Sequence, residues 1–131
     1  MKAILDAGPL IAAWDKSDKH HQWAKTTLKQ YSGPYLTTEL VLCEVAHMTG
    51  KDAAILEGVR TGRFLIGVSL KADAAAMQRV LFAYGHSDLA DASIVVLSEK
   101  EPHLPVLTTD KRHFSTYRRA DKTALPMVAP Q

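Results

Sequence analysis

Short apolar runs alternate along this chain with longer segments in which apolar residues recur every three or four positions. That alternation predicts a parallel sheet wrapped by helices. Residues 2–6 read as a brief buried strand that ends at Asp6. Gly8-Pro9 then turns the chain, with Pro9 suited to a first helical position. Ser17 or Asp18 can cap a helix to about Tyr31, with Trp23, Ala24, Thr27, Leu28 and Tyr31 on one face. Ser32-Gly33-Pro34 breaks it, and Tyr35-Leu36-Thr37 reads as a second strand. Thr37 or Thr38 opens a helix to about Thr49, stopped by Gly50, and Asp52 caps another to Thr61.

Phe64 to Val68 is the next expected strand, and Ser69 caps a helix from about Leu70 to Tyr84 that Gly85 stops. A further helix starts near Ser87-Asp88 and runs to about Glu99. Pro105 to Thr108 reads as a strand, Arg112 to Tyr117 as a short helix, and Met127-Val128-Ala129 as an edge strand. Strands alternating with amphipathic helices imply an α/β fold, with four or five short parallel strands and helices on both faces. At 131 residues, with no repeat, linker or shift in composition, the chain is expected to form a single domain, 1–131.

Composition narrows the class. With 47% hydrophobic and 23% charged residues the sequence belongs with soluble globular proteins rather than disordered ones. No apolar run approaches the ~18 residues of a membrane helix. The charge at Asp6 interrupts the N-terminal apolar run too early for a secretion signal. One cysteine, Cys43, excludes an internal disulfide and fits a reducing compartment. A cytoplasmic setting is expected.

Four acids then stand out, because each lies among residues that favour burial. Asp6 follows Ala3-Ile4-Leu5, Glu44 lies within Leu40 to Ala46, Asp91 within Leu89 to Leu97, and Asp110 closes Pro105 to Thr109. Carboxylates in apolar surroundings are costly unless paired, hydrogen-bonded or bound to metal. Asp6 and Asp110 fall just past strand ends, the edge at which open α/β sheets bind ligands. Asp91 lies in the opening turn of its helix and Glu44 in the second turn of its own, so all four can converge on one rim. A carboxylate set without thiolate or imidazole favours a hard ion, Mg2+ with Mn2+ as a substitute. Such an ion can activate water and neutralise charge on a phosphate. The net charge is only +2, but setting the four acids aside leaves ten acids against sixteen bases, a balance of +6. A basic surface around an acidic pocket suits a polyanion, although a solvated mixed-charge surface reads equally well from charge alone.

The ordered set Ile4-Leu5-Asp6, Leu42-Cys43-Glu44-Val45, Asp88-Leu89-Ala90-Asp91-Ala92 and Leu107-Thr108-Thr109-Asp110 with Phe114 resembles the PIN-domain ribonucleases. Within them it is most similar to the compact VapC-type toxins of type II toxin–antitoxin pairs, over about residues 2–118. The resemblance implies a three-layer α/β/α fold and Mg2+-dependent endoribonuclease activity. It implies that Asp6, Glu44, Asp91 and Asp110 are both the catalytic and the metal-binding set. It also implies an RNA substrate such as a tRNA or rRNA, a cognate antitoxin protein and a homodimer. Many members carry Thr or Ser after the first Asp, where Ala7 stands here.

Other residues admit two readings. Asp88 is either a helix-start carboxylate or a further metal ligand, and Thr108 and Thr109 either support the site or merely suit a strand end. Lys111, Arg112, Arg118, Arg119 and Lys122, interleaved with Phe114 and Tyr117, form either a phosphate-contacting and base-stacking surface or a solvated face. Arg112, with Lys111, is the foremost candidate for substrate binding, being two residues from Asp110. The six histidines show no zinc-site spacing, and Trp14, Trp23 and Phe82 read as core or dimer contacts. Alternatives to a toxin are a nuclease in RNA processing or acting on DNA, and an inert module of the same fold. Phosphoryl transfer through an aspartyl-phosphate is disfavoured, since Asp6-Ala7-Gly8 lacks a DxD pair.

Overall fold

A computed structural model describes residues 3–131, so Lys2 of the first expected strand lies outside the described residues. The strands are β1 (Ile4–Leu5), β2 (Tyr35–Thr37), β3 (Phe64–Ile66), β4 (Val106–Leu107) and β5 (Met127–Val128). The helices are α1 (Ala7–Ala13), α2 (His21–Gln30), α3 (Glu39–Thr49), α4 (Asp52–Arg60), α5 (Leu70–Ala83), α6 (Leu89–Lys100) and α7 (Lys111–Phe114). The strands form one sheet in the order β3-β2-β1-β4-β5, and every pairing is parallel. The expected three-layer α/β/α arrangement is therefore present.

Strand order explains where a site can form. The chain steps from β1 through β2 to β3, then crosses back to place β4 on the other side of β1. Right-handed crossovers on either side of that reversal put helices on opposite faces and open a crevice between the carboxyl ends of β1 and β4. α1 packs against α2 and α3, α3 also meets α6, α5 packs against α6, and α6 lies against β1. All residues from Ala92 to Ser98 are buried. A helix enclosed all round has no polar stripe, which is why α6 reads as a nearly continuous apolar run. Its two serines are satisfied in place. Ser93 Oγ donates to the Ala90 carbonyl, and Ser98 Oγ accepts from Arg119.

Several elements differ from expectation. Gly8-Pro9 does not turn the chain, because both residues lie in the first turn of α1. Pro9 needs no N–H there, and a Cβ on Gly8 would lie 1.9 Å from Thr109 Oγ1, so helix and loop are in contact. The second helix starts at His21 rather than beside Asp18, whose Oδ1 instead accepts from the His20 N–H at 2.8 Å in the preceding turn. The strand expected over Phe64 to Val68 stops at Ile66, and the helix expected to Tyr117 stops at Phe114. Phe82, read as a core or dimer contact, is 84% exposed and so is not part of the core. Met127–Val128 does form the edge strand, parallel to β4.

Candidate active site

Each acid is positioned by where its element starts. Asp6 is the N-cap of α1, one residue past β1, and its backbone N–H bonds the Leu107 carbonyl of β4 at 3.0 Å. Asp110 is the N-cap of α7, three residues past β4, and its Oδ1 accepts from the His113 N–H. Asp91 is in the first turn of α6, where its N–H bonds the N-cap Asp88 Oδ1 at 2.9 Å. Asp88 is thus the helix-start carboxylate of one of its two readings. Glu44 is carried by α3, whose N-cap Thr38 Oγ1 accepts from the Val41 N–H.

These elements are tied together beneath the carboxylates. Thr38 Oγ1 and Ser93 Oγ form a buried hydrogen bond of 2.9 Å, which fastens the start of α3 to the start of α6. Thr37 Oγ1 donates to the Leu5 carbonyl and holds β2 against the end of β1. Thr108 Oγ1 donates to Asp6 Oδ2 at 2.7 Å and accepts from the Asp110 N–H at 2.9 Å. Tyr117 O–H donates to Asp91 Oδ2 at 2.8 Å, and His113 Nδ1 lies 2.9 Å from Asp110 Oδ2.

The electrostatics are those of a repulsive cluster. Asp6 is only 7% exposed; burial first, and then the charges of Asp91 and Glu44, push its carboxyl up to about 7, against the lowering effect of Thr108 and of the Ala7 N–H. Burial, reinforced by Asp88 and Asp91, raises Glu44. Burial also raises Asp91, with Asp88 and Asp110 adding to it and the Tyr117 hydrogen bond opposing it. Burial, then the Asp91 hydrogen bond and charge, drive the Tyr117 phenol well above its ordinary range. Asp6, Glu44, Asp91 and Asp110, with Asp88, are therefore close enough to feel one another. Among the described residues no Lys or Arg forms an ion pair with any of them.

Such a set has the chemistry of a hard-cation site: all donors are oxygens, and a divalent ion would offset both the burial that chiefly raises Asp6, Glu44 and Asp91 and the mutual repulsion that adds to it. Among the described residues no three carboxylate, imidazole or thiol groups stand close enough to enclose an ion directly.

Two expectations are overturned. Glu44 is partly desolvated by its neighbours but not enclosed in the core: Leu42 and Val45 of its helix face inward, while the Glu44 side chain also reaches solvent. Phe114 and Tyr117 offer no stacking surface, being 1% and 0% exposed; their rings fill the space under α7 and pack edge-on. Lys111 and Arg112 are exposed at the start of α7, directly after Asp110. Thr38, Ser93 and His113 were not singled out as site residues, and Tyr117, read from the sequence for base stacking, holds Asp91 instead. For Ser93 there was a signal, since a hydroxyl two residues from Asp91 interrupts an apolar run. The role of Tyr117 had none, because it depends on where a non-helical segment returns.

A family model described as PIN domain matches residues 3–120. Ribonuclease VapC26 of Mycobacterium tuberculosis is 27% identical over 123 residues, spanning 88% of this chain and 91% of that protein. The match takes in both sides of the crevice and all four acids, and the chain belongs to the PIN-domain family.

Proposed function

We propose that the chain is a Mg2+-dependent endoribonuclease, formed by a single domain over 1–131, that acts as the toxin of a toxin–antitoxin pair in the cytoplasm. The observation that carries this reading is the convergence of Asp6, Glu44, Asp91 and Asp110 at the β1–β4 crevice, where among the described residues no Lys or Arg pairs with them and only His113 stands beside Asp110. Kinship with a protein named a ribonuclease gives the substrate class. Asp6, Glu44, Asp91 and Asp110 would hold Mg2+, with Mn2+ as a substitute. When bound, the ion supplies charge neutralisation at the scissile phosphate and lowers the pKa of water beside it.

The protein groups do the rest. Thr108 fixes Asp6 relative to Asp110, and Tyr117 fixes Asp91, so these carboxylates are held before substrate arrives. Lys111 and Arg112, exposed beside Asp110, meet the phosphates next to the cut. Attack by water rather than by the 2′-hydroxyl leaves 5′-phosphate and 3′-hydroxyl ends. The assigned partners are RNA (a tRNA or rRNA being candidates), a cognate antitoxin and a second copy of the chain.

The test is incubation of purified protein with RNA and Mg2+, followed by end-group analysis, alongside Asp91→Asn. Expected are 5′-phosphate ends and a rate lower by roughly 100-fold or more in the variant. Ends bearing 2′,3′-cyclic phosphate, or equal cutting by both proteins, would overturn the reading. Cleavage of DNA in preference to RNA would move the activity to the DNA-directed alternative.

A further inference from the structure

The segment after α7 closes on α5 around a cavity of about 170 Å³, whose wall carries Arg79, Arg118, Arg119 and Lys122 beside Tyr84. The way these cations are held sets them apart from an ordinary charged surface. Arg119 donates from Nε to Ser98 Oγ at 3.1 Å and from a terminal nitrogen to the Pro102 carbonyl at 2.7 Å. Arg118 donates to the carbonyls of Ser115 and Tyr117 at 3.0 and 2.8 Å. All four acceptors are neutral. Both guanidinium groups are therefore fixed in place without losing their charge, and each keeps unused N–H donors.

Lys122 adds a cation that forms no ion pair among the described residues. It sits at φ 75° in a turn whose N–H bonds the Arg119 carbonyl at 2.9 Å, so the backbone itself presents this residue. Arg79 is the exception, since Glu99 takes it through two contacts of 2.7 Å. Asp121, in the same turn, is engaged by Thr123. Four cations against those two acids leave +2 around a concave wall. Immobilised guanidinium forks suit phosphate, since ordering entropy is spent in folding rather than on binding.

Tyr84 connects this wall to the candidate active site. Its ring stands 5.1 Å from that of Tyr117, whose hydroxyl reaches Asp91. The cavity and the carboxylates are thus joined by two successive side-chain contacts, through Tyr84 and Tyr117. We propose that this cavity is a second phosphate-binding site that grips the backbone of single-stranded RNA away from the scissile bond. The identity of the polyanion rests on the ribonuclease reading; the charge and shape of the cavity do not.

Binding of a labelled single-stranded RNA, followed by fluorescence anisotropy in EDTA across a salt series, tests the site without requiring cleavage. The variants are Lys122→Gly, which suits the positive φ while removing the charge, and Arg118→Gln; Lys51→Ala is an exposed control for net charge. Each cavity variant is expected to flatten the slope of log K against log salt by about 0.7. Each should also weaken RNA binding several-fold, with Lys51→Ala changing the slope less. Unchanged slopes, or slopes that change as much in Lys51→Ala, would overturn the site. So would loss of polyglutamate binding with RNA binding retained, which would assign the cavity to an acidic peptide. Slope changes in a protein that never cuts RNA would leave the cavity standing and remove the nuclease reading. Cutting with unchanged slopes would do the reverse.

Discussion

Asp6 carries the energetic conflict of this molecule in one side chain. Its carboxyl, raised from 3.8 to about 7, binds a proton more tightly in the folded than in the unfolded chain. The stability this contributes is fully present below about pH 3.8 and is lost as pH rises through about 7. The difference corresponds to at most about 4 kcal/mol. Asp6→Asn should therefore raise the Tm of the metal-free protein by several degrees at pH 8, the gain shrinking toward pH 5. Mg2+ at pH 8 should raise the Tm of the wild type and leave the variant nearly unchanged. Differential scanning fluorimetry across pH, with and without Mg2+, reads both effects. Gly8 is the second residue with a sharp expectation. The Cβ of Gly8→Ala would meet the Thr109 hydroxyl and cost about 1–3 kcal/mol in urea unfolding, with partial recovery when Thr109→Ala is added.

At the scale of elements, the acids are held by helix starts rather than by strands alone. Thr38 caps α3 and also bonds Ser93 of α6, so Thr38→Val removes a cap and leaves Ser93 with one fewer partner. A loss of about 1–2 kcal/mol is expected, with faster amide exchange at Val41. Tyr117→Phe removes the donor to Asp91 while keeping the buried ring. Mg2+ affinity by calorimetry should fall about 10-fold with little change in Tm. Most elements were legible in the sequence because their signals are local: Ser69 and Thr38 cap helices, Gly50 ends one in the left-handed region, and Asp88 opens α6. The four acids were legible because strand ends and helix starts could be located. The supports were not. Thr108 bonds Asp6 across 102 positions and Thr38 bonds Ser93 across 55, separations at which sequence pattern says nothing about contact. Burial of Phe114 and Tyr117 was missed for the same reason, since the return of the chain over α7 follows no period. Pro9 correctly suggested a helix start, but α1 already begins at Ala7, because Gly8-Pro9 reads equally as a turn signal.

For the molecule as a whole, the order in which strands are added reverses at β1, and that reversal places acids distant in sequence at one crevice. If water is the nucleophile there, replacing the ribose at the cut site by deoxyribose leaves cleavage intact. An RNA oligonucleotide with one such substitution, cut at the same position as its parent and judged by gel mobility, checks this at the level of the whole reaction.

The crevice also has a consequence for synthesis. Asp6 emerges from the ribosome 102 residues ahead of its partner Thr108, and ahead of Asp110 and Tyr117 as well. A nascent chain that has displayed its first three strands still lacks β4, the partner that closes the site on Asp6. If the proposed nuclease reading holds, a nascent chain carries no assembled site beside the ribosome until β4 has been made and paired with β1.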